Sequence, residues 1–335
     1  MFHLQLSIKR GKNLTMILSK ERLLKEKKDT GYRQEIIEKV IWLMELLNAI
    51  SEDSYLSSRL ALKGGTALNL FHFDLPRLSV DADLNYIGAI DRNVMLEERK
   101  EVEKRITGLC ERLGLNLMRN PKEHAGGKMV WRYPSALGNQ GNIEVDLNFM
   151  YRIPLLPVET KDSITLSGRQ VRNLQVLDIH ELAAGKLTAL LERQTGRDFF
   201  DTNELFQYKH IDKEKLRVIF VIYAAMCTKV DMLNLAINEI AIDYVDLKNK
   251  LIPVMKNNYF DSFSSPDGWL KNMMDNIHNG FKALLPFSSS EVAFIDSVKT
   301  GNGIRPELFV EDANKLDFNL IKMHPALLWA ASKSK

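Results

Sequence analysis

Lys63-Gly64-Gly65-Thr66-Ala67-Leu68 and Arg77-Leu78-Ser79-Val80-Asp81-Ala82-Asp83-Leu84 are the two stretches on which the reading of this chain turns. In the first, two glycines follow a short apolar run, Leu60 to Leu62. They precede a segment, Ala67 to Phe73, with helical character until Pro76 stops it. In the second, Asp81, Ala82, Asp83 and Leu84 alternate polar with apolar, the signature of a strand with both aspartates on one face.

Each stretch has a chemical sense. A glycine turn entering a helix presents backbone N–H groups where the helix dipole favours anions, and bare backbone lets a phosphate come close. Thr66 adds a hydroxyl donor. Two carboxylates at i and i+2 stand about 7 Å apart along a strand and suit a hard divalent cation such as Mg²⁺. Farther on, Ile143-Glu144-Val145-Asp146-Leu147 offers a third acid on another strand. Asp146 is preferred for its apolar flanks; Glu144 is flanked in much the same way and stays open as the alternative. Alone, Asp-x-Asp is usually a solvated pair and Gly-Gly only a turn. In this order they describe a site where phosphates meet metal ions.

Outward from these motifs, the chain divides in character. Ile36, Ile37, Val40, Ile41, Met44 and Leu47 recur at helical spacing. A charged helix is expected from Asp91 to Leu113. Strands are expected at Leu115 to Arg119, Met129 to Tyr133 and Ile143 to Phe149, with Gly126-Gly127 and Gly138/Gly141 as turns. A weaker strand pair is expected between Ser163 and Val176. Asp178 and Glu181 have capping-box spacing, and beyond them the chain reads as helical to about Trp329, with loops near Ser264-Ser265-Pro266 and Gly301 to Pro306. The expected fold is α+β: residues 1–175 form a lobe around a mixed sheet, with a basic N-terminal helical segment. Residues 176–335 form a helical lobe, and the join falls between Pro157 and Asp178.

Composition narrows the class. Of 335 residues, 45% are hydrophobic and 27% charged, which fits a globular protein with a real core. No apolar run is long enough for a membrane span, and Met1 to Arg10 lack the continuous apolar stretch of a secretory signal. Two cysteines, Cys110 and Cys227, make no disulfide framework and fit free thiols in the cytoplasm. A net charge of +3 does not mark a nucleic-acid binder, although Lys9 to Lys28 is strongly basic. The histidines show no metal-ligand spacing, so His72, His180 and His324 are read as structural, and Phe199, Phe200, Phe206 and Tyr208 as core.

The two opening stretches resemble the first motif of the AbiEii/AbiGii toxin family of nucleotidyltransferases, within the DNA polymerase β-like superfamily. Lys186-Leu187-Thr188-Ala189-Leu190, Arg193 and Arg197-Asp198-Phe199-Phe200-Asp201 are similar to that family's second motif, and His324 to Trp329 resemble its endings. The likeness runs from about Lys39 to Trp329. Leu78 and Val80 depart from it, without removing a group the chemistry needs.

The resemblance implies a polymerase β-like lobe and sets the roles. Asp81, Asp83 and Asp146 would hold Mg²⁺, with Mn²⁺ as the alternative ion. Gly64, Gly65, Thr66, Arg77, Ser79, Arg193 and Arg197 would bind nucleotide phosphates, with Arg77 and Ser79 ordering the loop beneath them. Lys186, Arg193 and Arg197 are spaced seven and then four apart, as on one helical face. By spacing alone that is an exposed face with ordinary salt bridges; by resemblance Lys186 joins Asp81, Asp83 and Asp198 as catalytic. Asp198 would hold Lys186 or act on the nucleophile, and Asp201 would lock Arg193 or Arg197. The implied activity is transfer of a nucleotidyl group from a nucleoside triphosphate to an RNA, with the tRNA 3′ end as leading acceptor. The setting would be a type IV-like toxin–antitoxin or phage-defence pair with a cognate antitoxin. The alternatives are a protein or small-molecule hydroxyl as acceptor, or an inactive nucleotide-binding relative.

Overall fold

A computed structural model describes residues 18–333 except 75, 122–125, 236, 238–239, 263–264 and 311–315. The basic segment is therefore seen only in its second half. Lys20–Thr30 (α1) is capped by Ser19 and ends on Gly31 in the left-handed region, while Lys9, Arg10, Lys12 and Ser264 lie outside the described residues.

The expected apolar stripe forms Gln34–Glu52 (α2), burying Ile37, Val40, Ile41, Met44 and Leu47. Leu60–Lys63 (β1) runs directly into Gly64–Phe71 (α3), so the helix begins at the first glycine, three residues earlier than expected. Asp81–Tyr86 (β2) follows, then Arg92–Arg112 (α4), whose N-cap Asp91 accepts from the amides of Asn93 and Val94. Asn116–Arg119 (β3), Gly126–Pro134 (β4) and Gln140–Asn148 (β5) are the three expected strands, but Gly126-Gly127 and Gly141, expected as turns, are paired within β4 and β5.

The weak strand pair is displaced. Glu159–Lys161 (β6) precedes the expected window and Leu174–Val176 (β7) closes it. Between them Leu166 and Arg169 bridge a tight turn in which Ser167 and Gly168 both have positive φ, so this stretch bends where a strand was anticipated.

These strands build one mixed sheet in the order β3-β4-β5-β2-β1-β7-β6. β2 pairs parallel with β5 and antiparallel with β1, and β4 pairs antiparallel with β5. Alternation sorts the faces: Met129, Trp131, Tyr133, Ile143, Val145, Leu147, Ala82 and Leu84 are buried. The intervening residues include Asp81, Asp83, Lys128, Glu144 and Asp146, which therefore share the opposite face.

The rest is helical: Ile179–Arg193 (α5), Gly196–Gln207 (α6), Lys213–Met226 (α7), Tyr244–Asp246 (α8), Pro266–Lys282 (α9), Ser289–Lys299 (α10), Phe318–Met323 (α11) and Pro325–Ser332 (α12). α7 is their centre, with Ile219 to Ala225 buried against α5, α10 and α12. Cys110 and Cys227 are buried free thiols. Phe199 and Phe200 are fully buried, and Phe206 and Tyr208 pack partly exposed against the same core. Among the described residues no helix is long and apolar enough to cross a membrane.

Asp178 caps α5 by accepting from the His180 amide, but Glu181 does not complete a capping box. Its carboxylate accepts from the Leu155 and Leu156 amides and the Tyr223 hydroxyl, tying the chain that leaves the sheet to α5 and α7. Burial pushes this carboxyl up to about 7, against the pull of those hydrogen bonds. The folded protein therefore holds a proton that the unfolded chain releases above the ordinary glutamate value. This contribution to stability falls as pH rises from about 4.3 to about 7. Urea unfolding over that range should show the decline, and Glu181→Gln should flatten it.

Candidate active site

The Gly64-Gly65 turn is shaped by what lies against it. Gly64 has φ +71°, and a Cβ there would stand 2.3 Å from an Asp83 carboxylate oxygen, so the backbone and this acid are in direct apposition. A Cβ on Gly65 would meet the Arg77 guanidinium at 2.7 Å and the Ser79 hydroxyl at 3.0 Å. Thr66 does not face outward as a free donor. It is fully buried, and its hydroxyl donates to the Asp81 carbonyl, fastening α3 to the start of β2.

Strand register gathers the acids. Asp83 lies opposite Asp146 and Asp81 opposite Glu144 in the parallel pair, and Lys128 lies opposite Asp146 in the antiparallel one. The two β5 acids differ in electrostatic setting. Glu144 binds Lys128 at 2.6 Å; burial would raise its carboxyl, but that lysine, helped by the charges of Lys39 and Arg197, holds it low. Asp146 is pushed above its ordinary value by burial and then by the charge of Asp83. Among the described residues neither Asp83 nor Asp146 is in a salt bridge. Asp81 is also raised by burial, against Lys39 at 3.9 Å and Arg197 at 3.6 Å. No group of three His, Cys, Asp or Glu side chains among the described residues is closed tightly enough to enclose an ion.

The second motif meets the first through a buried charge network. Arg77, only 2% exposed, grips Asp201 with two hydrogen bonds of 2.8 and 2.6 Å and donates to the Leu78 carbonyl. Lys186 sits 3.0 Å from both Asp201 and Asp198. Arg193 and the Thr195 hydroxyl complete the set on Asp198. Asn69 of α3 donates to the Gly65 carbonyl and, at 3.4 Å, to Asp201, linking the glycine turn to the same network. Burial alone would discharge Lys186, but the two aspartates keep it charged and hold it above its usual value. Burial opposes ionisation of Asp198 and Asp201 as well. Lys186 with Arg193 on the first, and Arg77 with Lys186 on the second, overcome that and hold both low.

Three expectations change here. Lys186, Arg193 and Arg197 do not share one helix: α5 ends at Gln194 in the left-handed region, Thr195 caps α6, and Arg197 turns to Asp81. Asp201 locks Arg77 and Lys186, not Arg193 or Arg197. Arg77 is committed to protein partners beneath the turn, while Arg193 remains 54% and Arg197 34% exposed in their side chains. Lys39, Lys128 and Asn69 escaped the sequence reading because their roles depend on pairing across distant elements. Thr195 did carry a signal, the Thr-x-x-Asp spacing of a capped helix.

With this geometry in view, the chain matches a family model described as nucleotidyl transferase AbiEii toxin, type IV TA system, over residues 45–266. The chain belongs to this family. It is thus a nucleotidyltransferase toxin of the type IV toxin–antitoxin class. Among solved structures, this chain is similar to MenT4, a nucleotidyltransferase toxin from Mycobacterium tuberculosis H37Rv. The TM-score is 0.60 at 18% identity, over 94% of this chain and 99% of that one, a likeness of fold. No curated protein sequence gives a significant match.

Asp201→Asn should leave Arg77 and Lys186 with one full charge fewer between them in a dry site, costing about 3–5 kcal/mol in urea unfolding. The sign with pH is opposite to that of Glu181. Depressed aspartates stabilise above their ordinary value of about 3.9, and that stability is lost as pH falls below it. Wild type should therefore lose stability below about pH 4 more steeply than Asp201→Asn.

Proposed function

We propose that this enzyme transfers a nucleoside monophosphate from a nucleoside triphosphate to RNA, with the 3′ end of tRNA as the preferred acceptor. It would work in the cytoplasm beside a cognate antitoxin, as a phage-defence device. The observation that carries the reading is the strand register that sets Asp83 beside Asp146, with the Gly64 backbone pressed against Asp83.

What supports a divalent ion is the pair Asp83 and Asp146, side by side across parallel strands with Asp81 on the same face, although no three of these acids close around one point. Asp146 is raised by burial and by Asp83, the strain expected where two carboxylates share a place made for a cation. Asp81, Asp83 and Asp146 would hold Mg²⁺ or Mn²⁺, while Glu144 is spent on Lys128. Such an ion supplies charge neutralisation at the phosphates and a more acidic acceptor hydroxyl.

The chain's own groups divide the remaining work. The Gly64-Gly65 turn offers backbone N–H groups at the α3 N-terminus to an anion. Arg193 and Arg197, partly exposed, are placed to meet the triphosphate and the departing pyrophosphate. Lys186, kept protonated, contributes charge and not a base. Asp198 serves by holding Lys186 and Arg193, and Arg77 with Ser79 supports the turn from below.

The test is incubation of the protein with Mg²⁺, each labelled nucleoside triphosphate and total RNA. Label should enter RNA of tRNA size, and Asp83→Asn should reduce it at least about a hundredfold, beyond the loss typical of outer partners. Label on protein or small molecules in place of RNA would overturn the acceptor, and no label with any nucleotide would overturn the activity.

A further inference from the structure

Beside Arg193 and Arg197 of the nucleotide site, the corner between α5 and α6 carries a further surface, on α8, that the nucleotide site does not use. Tyr244 and Val245, 65% and 66% exposed, are the most exposed large hydrophobic side chains among the described residues. Both belong to α8, which is held against the corner. The Asp246 carboxylate accepts from the Gly196 amide at 2.7 Å, the Ala241 amide donates to the Gln194 side chain, and Gly196 packs on the Leu247 backbone so closely that a Cβ would stand 2.9 Å from its Cα. The residue after Gly196 is Arg197, which reaches Asp81 of the acidic pair.

Charge on this corner is sorted by depth. Arg193 is 54% exposed while its partner Asp198 is 3% exposed; Lys250 is 57% exposed while its partner Asp246 is 10%. The acids point inward and the bases outward. Lys248 is exposed as well. Asp243 is the exposed exception, engaged as the N-cap of α8. Outside, then, an exposed aromatic ring and an aliphatic side chain share a short segment with two exposed lysines, and that segment is fastened to the residue before Arg197, which reaches the acidic pair. A folded chain has no internal use for that combination, whereas unstacked bases and a phosphodiester backbone do.

We propose that the α8 side of this corner, formed by Tyr244, Val245, Lys248 and Lys250 next to Arg193 and Arg197, holds the single-stranded end of the RNA acceptor. A base stacks on Tyr244, and Lys248 and Lys250 take its phosphates. The inference rests on the RNA reading above and adds where that RNA lies.

The experiment is paired. Anisotropy of a short fluorescent single-stranded oligoribonucleotide gives binding, and transfer of labelled nucleotide to tRNA gives KM for each substrate. Tyr244→Ala should weaken oligonucleotide binding and raise the KM for RNA about tenfold, much more than the KM for nucleotide. Tyr244→Trp should restore both, and Lys248→Glu should weaken binding and lessen its salt dependence. Unchanged melting temperatures would show that the exposed substitutions leave the fold intact. If wild type labels tRNA while Tyr244→Ala and Lys248→Glu bind and react as it does, the surface is overturned and the RNA reading stands. If wild type neither binds the oligonucleotide nor labels RNA, both fall.

Discussion

Two aspartates buried on one helix, each gripping cations from elsewhere, hold α6 to α5 and to the loop that leads into β2. Taking Arg77, Lys186, Asp198 and Asp201 out of water is costly, and only close, saturated pairing repays it. Because the penalty for a missing partner is so large, the network tolerates few arrangements. It fixes α6 against α5, fixes the loop before β2 against both, and through Asn69 fixes the carbonyl of Gly65. The glycine turn is thus shaped from behind by charges that solvent hardly reaches.

That arrangement separates two kinds of electrostatics. Behind the turn the cations and acids are matched, and the carboxyls are held low. In front of it, on the open face of the sheet, Asp81 and Asp146 are held high by burial, with Asp83 adding to the second. The inner charges are thus satisfied while the carboxylates on the open face are under-compensated, the setting on which the proposed metal site rests.

How much of this was legible depended on the range of the interaction. Local patterns placed β2, β3, β4, β5, α2 and α4, and the shared face of Asp81 and Asp83 followed from strand alternation. The choice between Glu144 and Asp146 was not readable locally, since their flanks match; it became distinguishable once strand pairing put Lys128 on Glu144 and Asp83 by Asp146. Asp201 stood out in the sequence, but its pairing with Arg77 was invisible for the same reason, the two being 124 residues apart along the chain. Helical spacing misled in one place only because a single residue, Gln194, takes a left-handed conformation that a non-glycine seldom adopts.

That residue has an effect out of proportion to its size. Had the helix continued, Arg193 and Arg197 would project roughly in line, since each residue advances the helix by about 100°. Breaking and recapping at Thr195 gives the second arginine an axis of its own, so one serves the buried aspartate and the other the open face of the sheet. The corner behaves as a phase-setter. Where the second helix starts, set by the Thr195 cap, determines where Arg197 points.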